Sequence, residues 1–100
     1  MKNKNKLTTV FVSGYFNVLH PGHLRMLRFA KESGDYLIVA VESDLIAGSA
    51  AHVPENLRVE GVKSNNWVNE TILLKEPIGD LIKRILPDIV IKGKEHQDKF

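Results

Sequence analysis

The sequence predicts an α/β fold with a doubly wound parallel sheet, and two observations support this prediction. Short apolar segments rich in β-branched residues alternate along the chain with polar or amphipathic segments of helical length. The apolar segments lack the polar–apolar alternation of half-exposed strands, so helices are expected to cover both faces of the sheet. With right-handed crossovers, such a chain forms a parallel sheet between two layers of helices.

The individual elements follow from the same pattern. The predicted strands are residues 8–13, 36–41, 71–74 and 89–91. The predicted helices begin at Pro21 and cover 55–68 and 77–86. Gly34 is expected to end the first helix in a left-handed conformation, and Pro87 is expected to stop the last one. The small, polar residues 43–54 are expected to form a loop with one helical turn near 45–47.

Composition limits the classes of protein to which the chain can belong. The 100 residues fit one core domain over residues 8–100, preceded by a basic tail at 1–7. The absence of cysteine excludes disulfides and thiolate metal sites. No apolar run reaches the roughly 18 to 20 residues that span a bilayer, so we expect a cytoplasmic protein with no membrane partner. The net charge of +2, with bases and acids interspersed, argues against a nucleic-acid partner.

The loop after the first strand combines features of a triphosphate site. Gly14 removes the side chain that would keep a ligand from the backbone. The helix that follows offers free N–H groups and the positive end of its dipole. His20 and His23 can donate to the same anion, and Gly22 between them leaves access open. Either histidine alone has an ordinary reading as a polar residue at a helix start, but the combination favours a functional site.

The position of this loop in the predicted fold supports the same interpretation. Ligands of doubly wound sheets bind beyond the carboxyl ends of the strands, where the winding direction reverses. The first strand usually lies at that point. The loop and the expected cleft therefore coincide.

The order Gly-Tyr-Phe-Asn-x-x-His-Pro-Gly-His, over residues 14–23, resembles the signature of the cytidylyltransferase-like superfamily. Residues 34–44 are similar to the segment that follows this signature in two groups of enzymes. These are the glycerol-3-phosphate and related cytidylyltransferases, and the nucleotidyltransferase domain of the bifunctional enzymes that make ADP-heptose. Residues 85–93 are closer to the second group. The resemblance covers about residues 8–94.

The resemblance implies a Rossmann-like nucleotidyltransferase fold and a reaction. CMP or AMP would pass from CTP or ATP to a sugar- or polyol-phosphate, such as glycerol 3-phosphate or heptose 1-phosphate, and pyrophosphate would leave. His20 and His23 would be catalytic, as donors to phosphate oxygens, and Mg²⁺ would be held through the nucleotide phosphates. Base and acceptor stay open at the level of sequence.

The resemblance also implies further site residues. The nucleotide would contact Gly14, Tyr15, Phe16, Asn17, Gly22, Lys92 and Gly93. Arg58 would face the acceptor phosphate, although a surface arginine is an equally good reading of that position. Asp44, just beyond the second strand, is expected to cap a helix.

The sequence departs from the family pattern at three places. Asn17 stands where the family usually has aspartate, which removes a carboxylate near the phosphates. The loop 45–53 lacks the lysine that relatives often carry there. The fifth strand and the Ser/Thr-rich turn of the family are not found by residue 100, so the last strand is expected to have an uncovered edge. A homodimer or another partner chain is one way to cover it.

Two other classes of protein compete with a nucleotidyltransferase. A non-catalytic nucleotide-binding module would account for Asn17 and for the loop without lysine. A fragment of a class I aminoacyl-tRNA synthetase would share a related His-x-Gly-His site, but the small size and the absence of a basic surface argue against it.

Overall fold

The computed structural model describes residues 7–92, which form a four-stranded sheet with helices on both faces. The strands are β1 (Thr9–Gly14), β2 (Tyr36–Glu42), β3 (Glu70–Leu74) and β4 (Ile89–Lys92). The helices are α1 (Pro21–Glu32), α2 (Asp44–Ala47), α3 (Glu55–Lys63) and α4 (Ile78–Ile85), and a 3-10 turn covers Gly48–Ala50. The strands pair in parallel in the order β3-β2-β1-β4. The predicted fold class is confirmed.

The order of the strands fixes where a ligand site is expected. From β1 the chain moves to β2 and then to β3, after which it crosses back and adds β4 on the other side of β1. The winding direction therefore reverses at β1. At the carboxyl end of β1, Gly14 pairs with Val41 of β2, and Ser13 pairs with Lys92 of β4. The loop after Gly14 opens at this switch point, where doubly wound sheets bind ligands.

The core consists of two apolar layers, one on each face of the sheet. The side chains of Val10 and Val12 point from β1 towards α1 and α3, where they pack with Leu27 and other buried residues. The side chain of Phe11 lies on the opposite face and packs with Leu81 of α4. This period of two arises because successive strand residues point to opposite faces. The apolar runs of the sequence are thus buried on both sides, as predicted.

The end of α1 differs from the prediction. Ser33 ends the helix in a right-handed conformation, and its hydroxyl donates to the carbonyl of Phe29 at 2.8 Å. Gly34 does not have a positive φ, so the predicted left-handed end is wrong. A Cβ on Gly34 would lie 2.6 Å from Cγ2 of Val10 and 2.8 Å from the carbonyl oxygen of Thr8. Glycine is needed here because the chain passes close to β1.

The bounds of α3 also differ from the prediction. The helix ends at Lys63, five residues before the predicted end at residue 68. The reason is local, since the side-chain oxygen of Asn65 accepts the backbone N–H of Trp67 at 2.9 Å and turns the chain. Asn69 then accepts the N–H of Leu37 at 2.8 Å, which guides the chain into β3. Polar side chains compete with helical hydrogen bonds in this way.

The other boundaries lie close to the predictions. The helix predicted over 77–86 is one residue shorter at each end, because Pro77 precedes it and Leu86 closes it with a φ of 52°. The helical turn predicted near 45–47 is present as α2. Within residues 7–92, no helix is long and apolar enough to cross a membrane. In the same range β4 pairs only with β1, and the homodimer suggested for its edge stays a prediction.

Candidate nucleotide-binding site

The two histidines of the loop motif are held by the first turn of α1. His20 is the N-cap residue, and its Nδ1 accepts the backbone N–H of Gly22 at 3.1 Å. Nδ1 of His23 accepts the backbone N–H of His20 at 3.4 Å. Together these contacts form a capping box in which imidazoles replace the usual hydroxyl and carboxylate. The backbone of the helix therefore orients both rings.

This arrangement decides which nitrogen of each ring can donate. Because Nδ1 of both rings accepts a backbone N–H, the proton of each neutral imidazole lies on Nε2. The ring centroids of His20 and His23 are 3.9 Å apart, with an angle of 33° between the planes. The two rings, each with its donor on Nε2, thus lie side by side at the positive end of the helix dipole. The structure brings the predicted pair together, and their binding of one anion stays a prediction.

Gly22 and Phe16 support the histidine pair from two sides. A Cβ on Gly22 would lie 2.9 Å from Cε1 of His20, so any larger residue would displace that ring. Phe16 has a φ of 55° and is only 2% exposed. Its ring centroid lies 5.6 Å from that of His23. The side chain of Phe16 therefore belongs to the core beneath the site, which leaves its backbone for the predicted contact with a nucleotide.

Arg58 is buried inside the protein, whereas the family resemblance implied that it would face the acceptor phosphate. It is 1% exposed, and four of its five N–H groups have partners within the protein. Nε donates to the carbonyl of Val53, and one terminal nitrogen donates to the carbonyls of Tyr15 and Glu42, all at 2.7 Å. The other terminal nitrogen donates to Oδ1 of Asp44 at 2.7 Å. We call these five residues the Arg58 network.

The Arg58 network joins the segments that follow β1 and β2. Tyr15 lies in the loop after β1, Glu42 is the last residue of β2, and Val53 precedes α3. A buried guanidinium is tolerated only when its charge and its donors are satisfied. Here they are satisfied by groups from all these segments. Arg58 therefore fixes the carboxyl edge of the sheet rather than facing solvent.

Asp44 takes part in a second pairing beside this network. Its Oδ2 accepts the N–H of Glu55 at 3.3 Å, and its own N–H donates to Oε1 of Glu55 at 2.8 Å. The start of α2 is capped by Ser43, whose hydroxyl accepts the N–H of Ile46. Ser43 rather than Asp44 is therefore the N-cap of α2, so the capping role expected for Asp44 is wrong. Asp44 instead accepts an N–H group from the first residue of α3.

Asn17 fixes the loop around residues 50–53 against the loop that carries the histidines. Its Nδ2 donates to the carbonyl of Ala50 at 2.9 Å, and its Oδ1 accepts the N–H groups of His52 at 2.7 Å and Val53 at 3.4 Å. An ionised aspartate can accept two N–H groups but cannot donate to Ala50. The amide therefore suits this site in a way that the carboxylate of the family pattern would not.

The remaining predicted residues lie along the switch point. Gly14 is buried at the end of β1, and Tyr15 directly after it is half-buried. The backbone of Lys92 ends β4 beside Ser13. Gly93 lies outside the described residues. The Arg58 network and the Asn17 contacts had no local signal in the sequence, because each includes a hydrogen bond between residues more than thirty positions apart.

The model of the family described as cytidylyltransferase-like matches residues 11–100 of this chain. An FAD synthase from Methanohalobium evestigatum is 39% identical over 94 residues, which are 91% of this chain and 63% of that protein. The bifunctional protein HldE of Helicobacter acinonychis is 38% identical over 102 residues, which are 95% of this chain and 22% of that protein. The family resemblance found in the sequence is confirmed.

A solved structure has the same fold. It is the crystal structure of the lipopolysaccharide core biosynthesis protein from Thermoplasma volcanium, which superposes with a TM-score of 0.79 at 29% identity. The match covers 85% of this chain and 73% of that protein. Against the two relatives above, by contrast, the chain spans less than two thirds of the FAD synthase and about a fifth of HldE.

Proposed function

Because the chain belongs to the cytidylyltransferase-like family, we propose that it transfers CMP or AMP from CTP or ATP to a small phosphate ester and releases pyrophosphate. The observation that supports this most strongly is the pair His20 and His23, whose rings lie 3.9 Å apart at the start of α1. That helix start follows the carboxyl end of β1, where the winding of the sheet reverses. The family and the similar proteins support nucleotidyl transfer.

In this reaction an oxygen of the acceptor phosphate attacks the α-phosphorus of the triphosphate in line. The bond from the α-phosphorus to the oxygen that bridges to the β-phosphate breaks, and its electron pair leaves with pyrophosphate. Negative charge grows on the phosphate oxygens, so catalysis depends on positioning and on donors aimed at them. Nε2–H of His20 and of His23 supplies two such donors.

Mg²⁺ is proposed to arrive with the triphosphate and to neutralise part of its charge. Within residues 7–92, no three histidine, cysteine or acidic side chains cluster in a way that could hold a metal. Asn17, which replaces the aspartate of the family pattern, has its amide engaged with the loop. The donors present therefore fit an ion held by phosphate oxygens and water, which Mg²⁺ accepts readily.

The names of the relatives suggest which acceptors to test. FAD contains AMP joined to a flavin phosphate, so an FAD synthase points to flavin mononucleotide and ATP. The resemblance to HldE points to a sugar phosphate. Glycerol 3-phosphate with CTP follows from the sequence motif. A non-catalytic nucleotide-binding module is the second candidate, favoured by the engaged amide of Asn17.

Pyrophosphate release tests the proposal. Each triphosphate would be combined with flavin mononucleotide, glycerol 3-phosphate and heptose 1-phosphate in the presence of Mg²⁺. The paired changes His20→Ser and His23→Gln keep a capping box while removing both imidazoles, so the fold should survive. We expect turnover to fall at least about a hundredfold, the usual loss for one such donor.

The change His52→Ser is the matched control, because that exposed histidine lies outside the pair. Equal turnover by the paired variant and the wild type would reject the role of the histidines. Triphosphate binding without any pyrophosphate release across the acceptors would favour the non-catalytic module.

A further inference from the structure

Asn17 lies in the loop between β1 and the histidine pair, and its side-chain amide meets three backbone groups of the segment 50–53. Nδ2 donates to the carbonyl of Ala50 at 2.9 Å, and Oδ1 accepts the N–H groups of His52 and Val53 at 2.7 Å and 3.4 Å. These partners fix the orientation of the amide, because the carbonyl must meet the donor and the N–H groups must meet the acceptor. Both ends of the amide are thus used in joining the two loops.

The segment 50–53 is also held by contacts that do not involve Asn17. On one side, the N–H of Ala51 donates to the carbonyl of Gly48 at 3.1 Å and closes the 3-10 turn. On the other side, the carbonyl of Val53 accepts Nε of the buried Arg58 at 2.7 Å. The segment is therefore fixed between the turn and α3, and Asn17 fastens the histidine loop to it.

The residues around Asn17 show why the histidine loop needs this contact. Phe16, directly before it, has a φ of 55°, a left-handed conformation that is unfavourable for a bulky side chain. Val18, directly after it, is 67% exposed. His20 begins α1 as its N-cap three positions after Asn17, and three residues span at most about 11 Å. The amide is therefore placed to fix the path of the chain from a strained residue to the first histidine.

A carboxylate cannot take the place of this amide. It would keep an acceptor for the N–H groups of His52 and Val53, but its other oxygen would face the carbonyl of Ala50, and two acceptors repel each other. It would also add a negative charge to the loop that is proposed to meet a triphosphate. The geometry of this loop thus disfavours the aspartate of the family pattern.

We propose that Asn17 is a positioning residue for nucleotidyl transfer, whose amide holds the loop that carries His20 and His23 against the segment 50–53. The proposal rests on the proposed function, since it gives Asn17 a role in that reaction. Asn17 acts through the two histidines, and the donor of its amide is required. The change Asn17→Asp, which restores the residue of the family pattern, therefore lowers turnover instead of raising it.

The test measures kcat and KM of the full chain by pyrophosphate release, with an acceptor that the wild type uses. Asn17→Asp removes the donor, and Asn17→Ala removes all three contacts. Asn66→Asp is the matched control, because it adds the same charge at an exposed position beyond the end of α3. Urea denaturation shows whether each variant is folded under the conditions of the assay.

We expect kcat of Asn17→Asp to fall by about tenfold to a hundredfold, since small displacements of catalytic groups have effects of this size. KM for the triphosphate should change little, because both histidines remain. Asn17→Ala should lose at least as much turnover, and Asn66→Asp should match the wild type. A lower free energy of unfolding with unchanged kcat would show a merely structural role and overturn the proposal. Turnover by Asn17→Asp at or above the wild-type level would overturn it as well.

The pH dependence of Asn17→Asp gives a readout that a loss of stability cannot produce. A protonated carboxyl group has an O–H donor and a carbonyl acceptor, so it can copy the contacts of the amide. Turnover of this variant, divided by that of the wild type, should therefore rise as the pH falls from about 8 to about 5. A ratio that stays constant or falls towards acid pH would contradict the requirement for a donor.

Failure of the proposed function would be visible separately. If the wild type releases no pyrophosphate with any acceptor, that function is rejected, and the Nε2 resonances of His20 and His23 at saturating triphosphate decide the role of Asn17. Resonances that differ between Asn17→Asp and the wild type would keep Asn17 as a positioning residue of a binding site. Identical resonances would reject this role too.

Discussion

At the scale of single residues, the site depends on side chains that bond to the backbone. Nδ1 of His20 and of His23 accepts N–H groups of the first helical turn, which leaves Nε2–H as the donor of each neutral ring. Gly22 is required because a Cβ there would contact the ring of His20. Local spacing in the sequence was enough to predict that the two histidines share one side, because a helix start places residues three positions apart on one side. The acceptor role of Nδ1 and the contact between Gly22 and the ring of His20 were not predicted.

Asn17 provides the first prediction at this scale. Replacing Asn17 by alanine removes its three contacts with residues 50–53, so we expect faster amide hydrogen exchange at His52 and Val53. Asn17→Asp keeps the acceptor and should preserve protection at those two amides, while the contact with Ala50 is lost. Exchange followed by NMR distinguishes the two variants. Equal protection of both amides in the alanine variant and the wild type would contradict the role given to Asn17.

At the scale of elements, a few long-range contacts set the positions of the loops at the carboxyl edge. Arg58 on α3 bonds to the segments after β1 and β2. Its burial could not be predicted from the sequence, because an arginine near a helix start is usually exposed. The early end of α3 was missed for a different reason, since it depends on a side-chain turn at Asn65.

Arg58 provides the second prediction. Arg58→Lys cannot reproduce four N–H contacts in a fixed geometry, so buried carbonyls lose their donors. Each such group costs about 1 to 3 kcal/mol, and we expect the free energy of unfolding to fall by at least about 2 kcal/mol. Urea denaturation measures this. Arg25→Lys, at an exposed position of α1, is the control and should change little. An Arg58→Lys variant with the same free energy of unfolding as the wild type would contradict the stabilising role given to the Arg58 network.

The loop after β3 and helix α4 are joined by an ion pair that provides the third prediction. Arg84 donates to Glu76 at 2.6 Å, and this hydrogen bond holds the pKa of Glu76 below its ordinary value of 4.5. A lowered folded-state pKa means that the contribution to stability is present above pH 4.5 and is lost as the pH falls through the folded-state value.

The difference in free energy of unfolding between the wild type and Glu76→Gln should therefore be small but measurable at pH 7. It should vanish once the pH has fallen below the folded-state pKa of Glu76. Urea denaturation across this pH range measures the difference. Both side chains are partly exposed, so high salt should reduce it as well. A difference that grows as the pH falls would contradict the direction of the pKa shift.

At the scale of the whole molecule, the order β3-β2-β1-β4 makes β1 the switch point and brings the histidine pair and a cavity to one edge. The fold class could be predicted because strands buried on both faces produce uninterrupted apolar runs such as 37–41. This cavity of about 470 Å³ could not be predicted, since its walls come from the ends of three strands, from α2 and α4, and from the loop between β3 and α4. Which loops meet at an edge depends on the packing of the whole sheet.

The most direct test of the central claim is the protonation and the ligand response of the two imidazoles, measured by long-range proton–nitrogen NMR with labelled histidine. For the free protein at neutral pH, the geometry predicts that the neutral rings of His20 and His23 carry the proton on Nε2. Addition of CTP or ATP with Mg²⁺ should shift both Nε2 resonances and leave those of His52 in place. Protons on Nδ1 would contradict the proposed geometry of the histidine pair. Nε2 resonances of His20 and His23 that do not shift with either triphosphate would contradict the proposed nucleotide site.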